Sequence, residues 1–145
     1  MAKNDILIPE KFPFSVSLPV RITDMNYGGH LGNDRYLTIS HEARVKFLEW
    51  LGYTELDFGG PGLILANVAI DYKAEIKYGD NLVVNVAVSE IGNVQFDIVY
   101  QFHAEREGNK FLAANIRTNM VVYNYQLKKV QPIPPDAQMK LRSIL

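Results

Sequence analysis

Residues 24–51 read DMNYGGHLGNDRYLTISHEARVKFLEWL, and two patterns meet inside this stretch. Asp24 to Asn33 is a polar loop carrying Gly28, Gly29 and Gly32. From Asp34 onward the apolar residues recur at helical spacing. Tyr36, Ala43, Phe47 and Trp50 form one stripe, with Leu37, Arg44, Leu48 and Leu51 beside it. Arg35, Thr38, Glu42, Lys46 and Glu49 fall on the opposite side. Asn33-Asp34 offers an N-cap, and Gly52 supplies a left-handed stop. The stretch therefore predicts a loop feeding one long helix, whose wide apolar face packs along a sheet.

The flanks supply that sheet. Before the loop, Phe14, Val16, Leu18, Val20 and Ile22 alternate with Ser15, Ser17, Arg21 and Thr23, the period of a half-buried strand over 14–23. Pro19 marks an edge or a bulge in it. After the helix come strand signals at Leu63–Ile76, Asn81–Ser89, Val94–Glu105 and Phe111–Tyr125. Gly92-Asn93 and Glu107-Gly108-Asn109 read as tight turns between them. Pro134-Pro135-Asp136 opens a short terminal helix. The order is strand, long helix, then four strands read as an antiparallel meander: an α+β plan with a five-stranded sheet in a single domain over 1–145. One helix cannot cover a whole sheet and its edges, so dimerisation is expected, with Leu63–Ile76 as the seam.

Composition narrows the function classes. The chain has 145 residues, of which 48% are hydrophobic and 21% charged, enough for a core without staples. It has no cysteine, which removes disulfides, cysteine-ligated metals and a cysteine nucleophile. A net charge of −1 with no basic block argues against a nucleic-acid partner. The N-terminal run MAKNDILIP does not look like a leader, and no apolar stretch is long enough for a membrane span. A cytoplasmic protein is the expectation.

The chemistry concentrates in the loop. Backbone N–H groups at a helix N-terminus favour negative charge, and glycines let a substrate approach the backbone. Such amides can hold the oxyanion that forms when a carbonyl is attacked. A glycine-rich loop before a helix is also an ordinary turn. On that reading Asp24 is a cap and His30 a structural histidine.

The pattern Asp24-Met-Asn26-x-x-Gly29-His30-Leu-x-Asn33-x-x-Tyr36-Leu resembles the motif D-x-D-x-x-G-H-V-x-N-x-x-Y of the hotdog-fold acyl-CoA thioesterases, relatives of 4-hydroxybenzoyl-CoA thioesterase. The likeness continues through Glu42-Ala43-Arg44, Phe47-Leu48, Tyr78-Gly79-Asp80 and Pro132-Ile133-Pro134. It implies a hotdog fold, a curved antiparallel sheet wrapped around the long helix. It also implies homodimers or dimers of dimers with sites at the subunit interface, and an acyl-CoA or acyl-carrier thioester as substrate. No metal or organic cofactor is implied.

Two departures shape the expected site. The second acid of the motif falls on Asn26, and an amide is neither a general base nor a carboxylate nucleophile. Many relatives carry an acid in the helix at the position of His41, which is an imidazole here. The expected catalytic set is Asn26, His41, Asp24 and His30. The expected substrate contacts are Tyr27, Gly28, Gly29, Asn33 and Asn67, with the thioester carbonyl held by the amides of Gly28 to His30. Loss of the acid at Asn26 keeps a second reading open, a catalytically weak acyl-thioester binding protein. A hotdog dehydratase or hydratase is a third, although the histidine-plus-acid motifs of those relatives are not found.

Overall fold

The computed structural model describes residues 6–145; the first five, part of the run read for a leader, lie outside the described residues. Strand β1 (Phe14–Leu18) leads through a short 3-10 turn (Ile22–Asp24) into helix α1 (Asn33–Leu51). Strands β2 (Gly62–Tyr72), β3 (Asn81–Ser89), β4 (Gln95–Arg106), β5 (Asn109–Asn124) and β6 (Lys129–Val130) follow, then helix α2 (Pro135–Ser143). All pairings are antiparallel, in the order β1-β3-β4-β5-β2, with β6 added to β5.

This corrects the sequence reading in four places. The sheet has six strands, the sixth being the two-residue β6 that the sequence did not announce. The meander is β3-β4-β5 alone. Strand β2 pairs with β5 rather than β3, so its other edge is free. Strand β1 stops at Leu18, because Pro19 cannot extend a ladder and Asp24 folds back to accept the Arg21 amide at 2.9 Å. Strand β2 ends at Tyr72, where the amides of Lys73 and Ala74 both turn to the carbonyl of Ala113.

Helix α1 obeys its periodicity. Tyr36, Ile39, Ala43, Phe47, Leu48 and Leu51 are buried against the sheet face made by Leu82, Val84, Val86, Phe96, Ile98, Tyr100 and Phe102. Each large apolar side chain fully buried there contributes about 1.5–3 kcal/mol. Trp50, read as part of the stripe, is half-exposed and packs its ring on Phe14 at 5.5 Å. The N-cap is Gly32 rather than Asn33, and Gly52 closes the helix with φ of 92°. The hairpin at Glu107-Gly108 has positive φ at both residues, the conformation a two-residue turn between twisted strands requires.

Candidate active site

The loop before α1 is held by its own residues. The Asn26 side-chain carbonyl accepts the amides of Gly28 at 2.9 Å and His30 at 3.2 Å. The Gly29 amide donates to the Asn26 carbonyl, and the Asn26 amide to the His30 carbonyl. Gly29 turns the chain at φ of 79°, where a side chain would be strained. Leu31 donates to Ile76 and Gly32 to Asp24, which stitch the loop to the strand connection and to the 3-10 turn. Asp24 thus organises the loop: it accepts from the Arg21 amide, and Arg35 lies 3.9 Å away.

The amides of Gly28, Gly29 and His30, expected to hold a carbonyl, are therefore occupied by Asn26. The free donors lie one turn further on. Among the described residues, the amides of Asn33 and Asp34 have no hydrogen-bond partner in the protein, as the first turn of a helix requires. They sit at the positive end of the α1 dipole.

A cleft of about 400 Å³ opens here, lined by Asn26, His30, Asn33, Tyr36, Tyr72, Lys73 and Glu75 among others; of the two residues with free amides, Asn33 is in its wall. Tyr72 ties the end of β2 to the helix start by donating to the Asn33 carbonyl at 3.4 Å, and its ring meets Tyr36 edge-on at 5.0 Å. Burial, reinforced by Tyr72 and Glu75, pushes the Tyr36 phenol up to about 12, so it stays protonated in the wall of the cleft. His30 Nδ1 is 3.2 Å from Glu75 Oε2, off the line that a hydrogen bond needs. Glu75 is mostly exposed and is the carboxylate that lines the cleft.

The structure brings Asn26, His30 and Asn33 together and leaves other expected residues apart. Tyr27 is fully exposed. Asn67, at the middle of β2, accepts from Arg117 at 2.8 Å. His41 is a partner of neither the loop nor the cleft. It is exposed, with Nε2 3.3 Å from Glu55 Oε1.

Sequence reasoning missed what lies behind His41. Glu55 Oε1 also accepts from Arg44 Nε at 2.8 Å. Buried Arg44 donates on to the Tyr100 hydroxyl at 3.1 Å, and Tyr100 and Thr118 share a hydrogen bond of 2.8 Å. Burial pulls the Arg44 guanidinium down, but Tyr100 and Glu55 outweigh it and the net shift is upward. The signal was an arginine on the apolar flank of the helix: a buried guanidinium demands acceptors, although sequence does not say which.

The fold and this cleft define a hotdog protein, and solved structures agree. A thioesterase-superfamily protein from Jannaschia superposes with a TM-score of 0.81 at 22% identity, over 92% of this chain and 83% of that one. The 4-hydroxybenzoyl-CoA thioesterase from a Pseudomonas strain gives 0.79 at 12% identity, over 88% and 97%. The acyl-CoA thioesterase YbgC of Haemophilus influenzae is 34% identical over 80 residues, 52% of this chain and 59% of that one. The pattern of the thioesterase-like superfamily matches residues 20–141, and the chain belongs to that family.

Proposed function

We propose that this protein hydrolyses acyl-CoA or acyl-carrier thioesters at the cleft before α1. The observation that carries the reading is the unpartnered amide of Asn33, at a helix N-terminus and in the wall of the cleft of a thioesterase-like chain. Water attacks the thioester carbonyl while this amide takes the developing oxyanion. The Asn26 side-chain amide and His30 position that water, and an imidazole accepts its proton. Asp24, Gly28 and Gly29 keep the loop in shape, while Tyr27 and Asn67 lie at its margin or on the dimer seam.

The free edge of β2, with Leu65 and Val68 exposed, supports a homodimer through that strand, alone or doubled into a dimer of dimers. No helix among the described residues is long and apolar enough to cross a membrane. We place the enzyme in the cytoplasm, in keeping with a chain that uses no cysteine.

One observation favours the alternative of an acyl-thioester binder: Asn26 spends its carbonyl on the loop and brings no carboxylate. Thiol release measured across acyl-CoA chain lengths, beside equilibrium binding, separates the two. Saturable turnover supports the thioesterase; tight binding without thiol release favours the binder.

A further inference from the structure

The backbone of His30 is fixed and its ring is open at one nitrogen. Its amide donates to the Asn26 side chain at 3.2 Å, and its carbonyl accepts the Asn26 amide at 2.8 Å. The Cδ2 edge of the ring faces Gly28, where an added Cβ would meet it at 3.6 Å. Nδ1 is enclosed and makes no hydrogen bond in the protein. Among the described residues Nε2 has no partner either, yet it is not enclosed. It is the nitrogen left open where His30 lines the cleft.

Beside Nδ1 stands the carboxylate of Glu75, with Oε2 at 3.2 Å, and backbone pairing delivers it there. Strand β5 carries a bulge at Ala113, where the register passes from Phe102–Ala114 to His103–Leu112. The Ala113 carbonyl takes the amides of Lys73 at 2.8 Å and Ala74 at 3.1 Å, and the chain leaves the sheet. Arg106, itself paired with Asp80, donates to the Glu75 carbonyl at 3.1 Å, and Leu31 to the Ile76 carbonyl at 2.8 Å. His30 then bridges Lys77 in antiparallel register. Side chains alternate along an extended chain, so residue 75 lies on the same side as residue 77. It is the diagonal neighbour of His30, within reach of a long side chain.

We propose that Glu75 is the positioning residue for His30. Its carboxylate accepts a hydrogen bond from Nδ1–H and so fixes the tautomer whose Nε2 lone pair faces the cleft, where it accepts a hydrogen bond from the attacking water. This rests on the thioesterase reading and names the group that enables His30 to hold that water. In a neutral imidazole one nitrogen donates and the other accepts, and the partner of one decides the role of the other. Water does not reach the enclosed Nδ1, so an acceptor beside it makes the choice. Glu75 is free to serve. Its side chain is 69% exposed, and among the described residues no lysine or arginine is paired with its carboxylate. A small turn of that side chain brings Oε2 onto the N–H line. A pair exposed at both ends would count for little, but here one of the two atoms is closed off from solvent. The loop itself brings no carboxylate at Asn26, and the strand connection supplies one from the other wall.

The test reads the ring as well as the rate. Glu75→Leu removes the acceptor and keeps the bulk, while Glu75→Gln keeps an acceptor oxygen without the charge. The chain has three histidines, so the NMR shifts of the His30 ring nitrogens are assigned by their loss in His30→Gln. In the neutral wild-type ring the proton should sit on Nδ1. In Glu75→Leu it should move to Nε2. There kcat for thiol release should fall by up to about 10²-fold with KM little changed, the cost of a misplaced group. Glu75→Gln should recover part of both.

A wild-type ring protonated on Nε2 overturns the role of Glu75. So does a Glu75→Leu variant that keeps the wild-type tautomer or the wild-type kcat. The ring shifts need no substrate. The expected tautomers in a protein that releases no thiol from any acyl-CoA would sink the thioesterase reading while the pairing of Glu75 with His30 stands.

Discussion

The side-chain carbonyl of Asn26 accepts the backbone amide of Gly28 at 2.9 Å, so the residue standing in place of the motif's acid shapes the loop. Asn26→Ala strips the acceptor from both Gly28 and His30 and should loosen the loop and depress turnover. Asn26→Asp keeps an acceptor there. It should give no strong gain, less than about tenfold, because the general-base contribution is assigned to an imidazole. Steady-state rates of the two variants check this. A large gain in Asn26→Asp would mean that the natural protein lacks its base.

Within one chain His41 stands outside the cleft, so as general base it acts only in the proposed homodimer. On that reading His41→Ala should lower turnover by about 10²–10⁴-fold, the usual size of general-base assistance. Glu55→Gln weakens the contact that holds His41 Nε2 at 3.3 Å and should lower kcat with little change in KM. Wild-type turnover in a folded His41→Ala variant would assign the base to another group.

Tyr100→Phe removes a hydroxyl that links Arg44 to Thr118 in the core. Two buried polar groups lose a partner, at a cost of about 1–3 kcal/mol. Thermal or denaturant unfolding measures it. A midpoint equal to wild type would mean that the network adds nothing to the fold.

Asp80 carries a pH dependence of stability. Hydrogen bonds from Arg106 hold its carboxyl below the usual range, with burial working against them and the Lys77 amide adding to them. A carboxyl with a lowered folded-state pKa stabilises the fold fully above its unfolded value. That contribution is lost as pH falls through the folded value. Asp80→Asn should lower the melting temperature at neutral pH and flatten the acid side of the stability curve. An unchanged acid side would place the dependence elsewhere.

Much of this was legible in the sequence because it follows from periodicity. Tyr36, Ala43, Phe47 and Leu48 announced the helix face and are buried as read, and within the strand signal over Val94–Glu105 the alternating Phe96, Ile98, Tyr100 and Phe102 are buried with them. Strand pairing was not legible. Alternation in β2 fixes its faces but not its neighbour, and chain order suggested β3 where the sheet uses β5. In the site, sequence located the loop but not its hydrogen bonds. That an asparagine carbonyl would claim the Gly28 and His30 amides, leaving Asn33 and Asp34 free, depends on the fold of the turn. Glu55 was out of reach because it lies eleven residues from Arg44 in sequence and reaches it across the turn after α1.

The proposed chemistry stands on the Asn33 amide, at the first position of α1, as the group that holds the thioester carbonyl. Proline is tolerated at that helix position, and Gly32 before it is extended at φ −63° and ψ 145°, as a residue before proline must be. Asn33→Pro thus deletes one N–H and leaves the helix intact, while Asn33→Ala removes the side chain and keeps the N–H. Thiol release from an acyl-CoA, compared between these two variants, is the direct measurement. Asn33→Pro should lose about 10²–10³-fold in turnover relative to Asn33→Ala. Equal rates in two folded variants would contradict it.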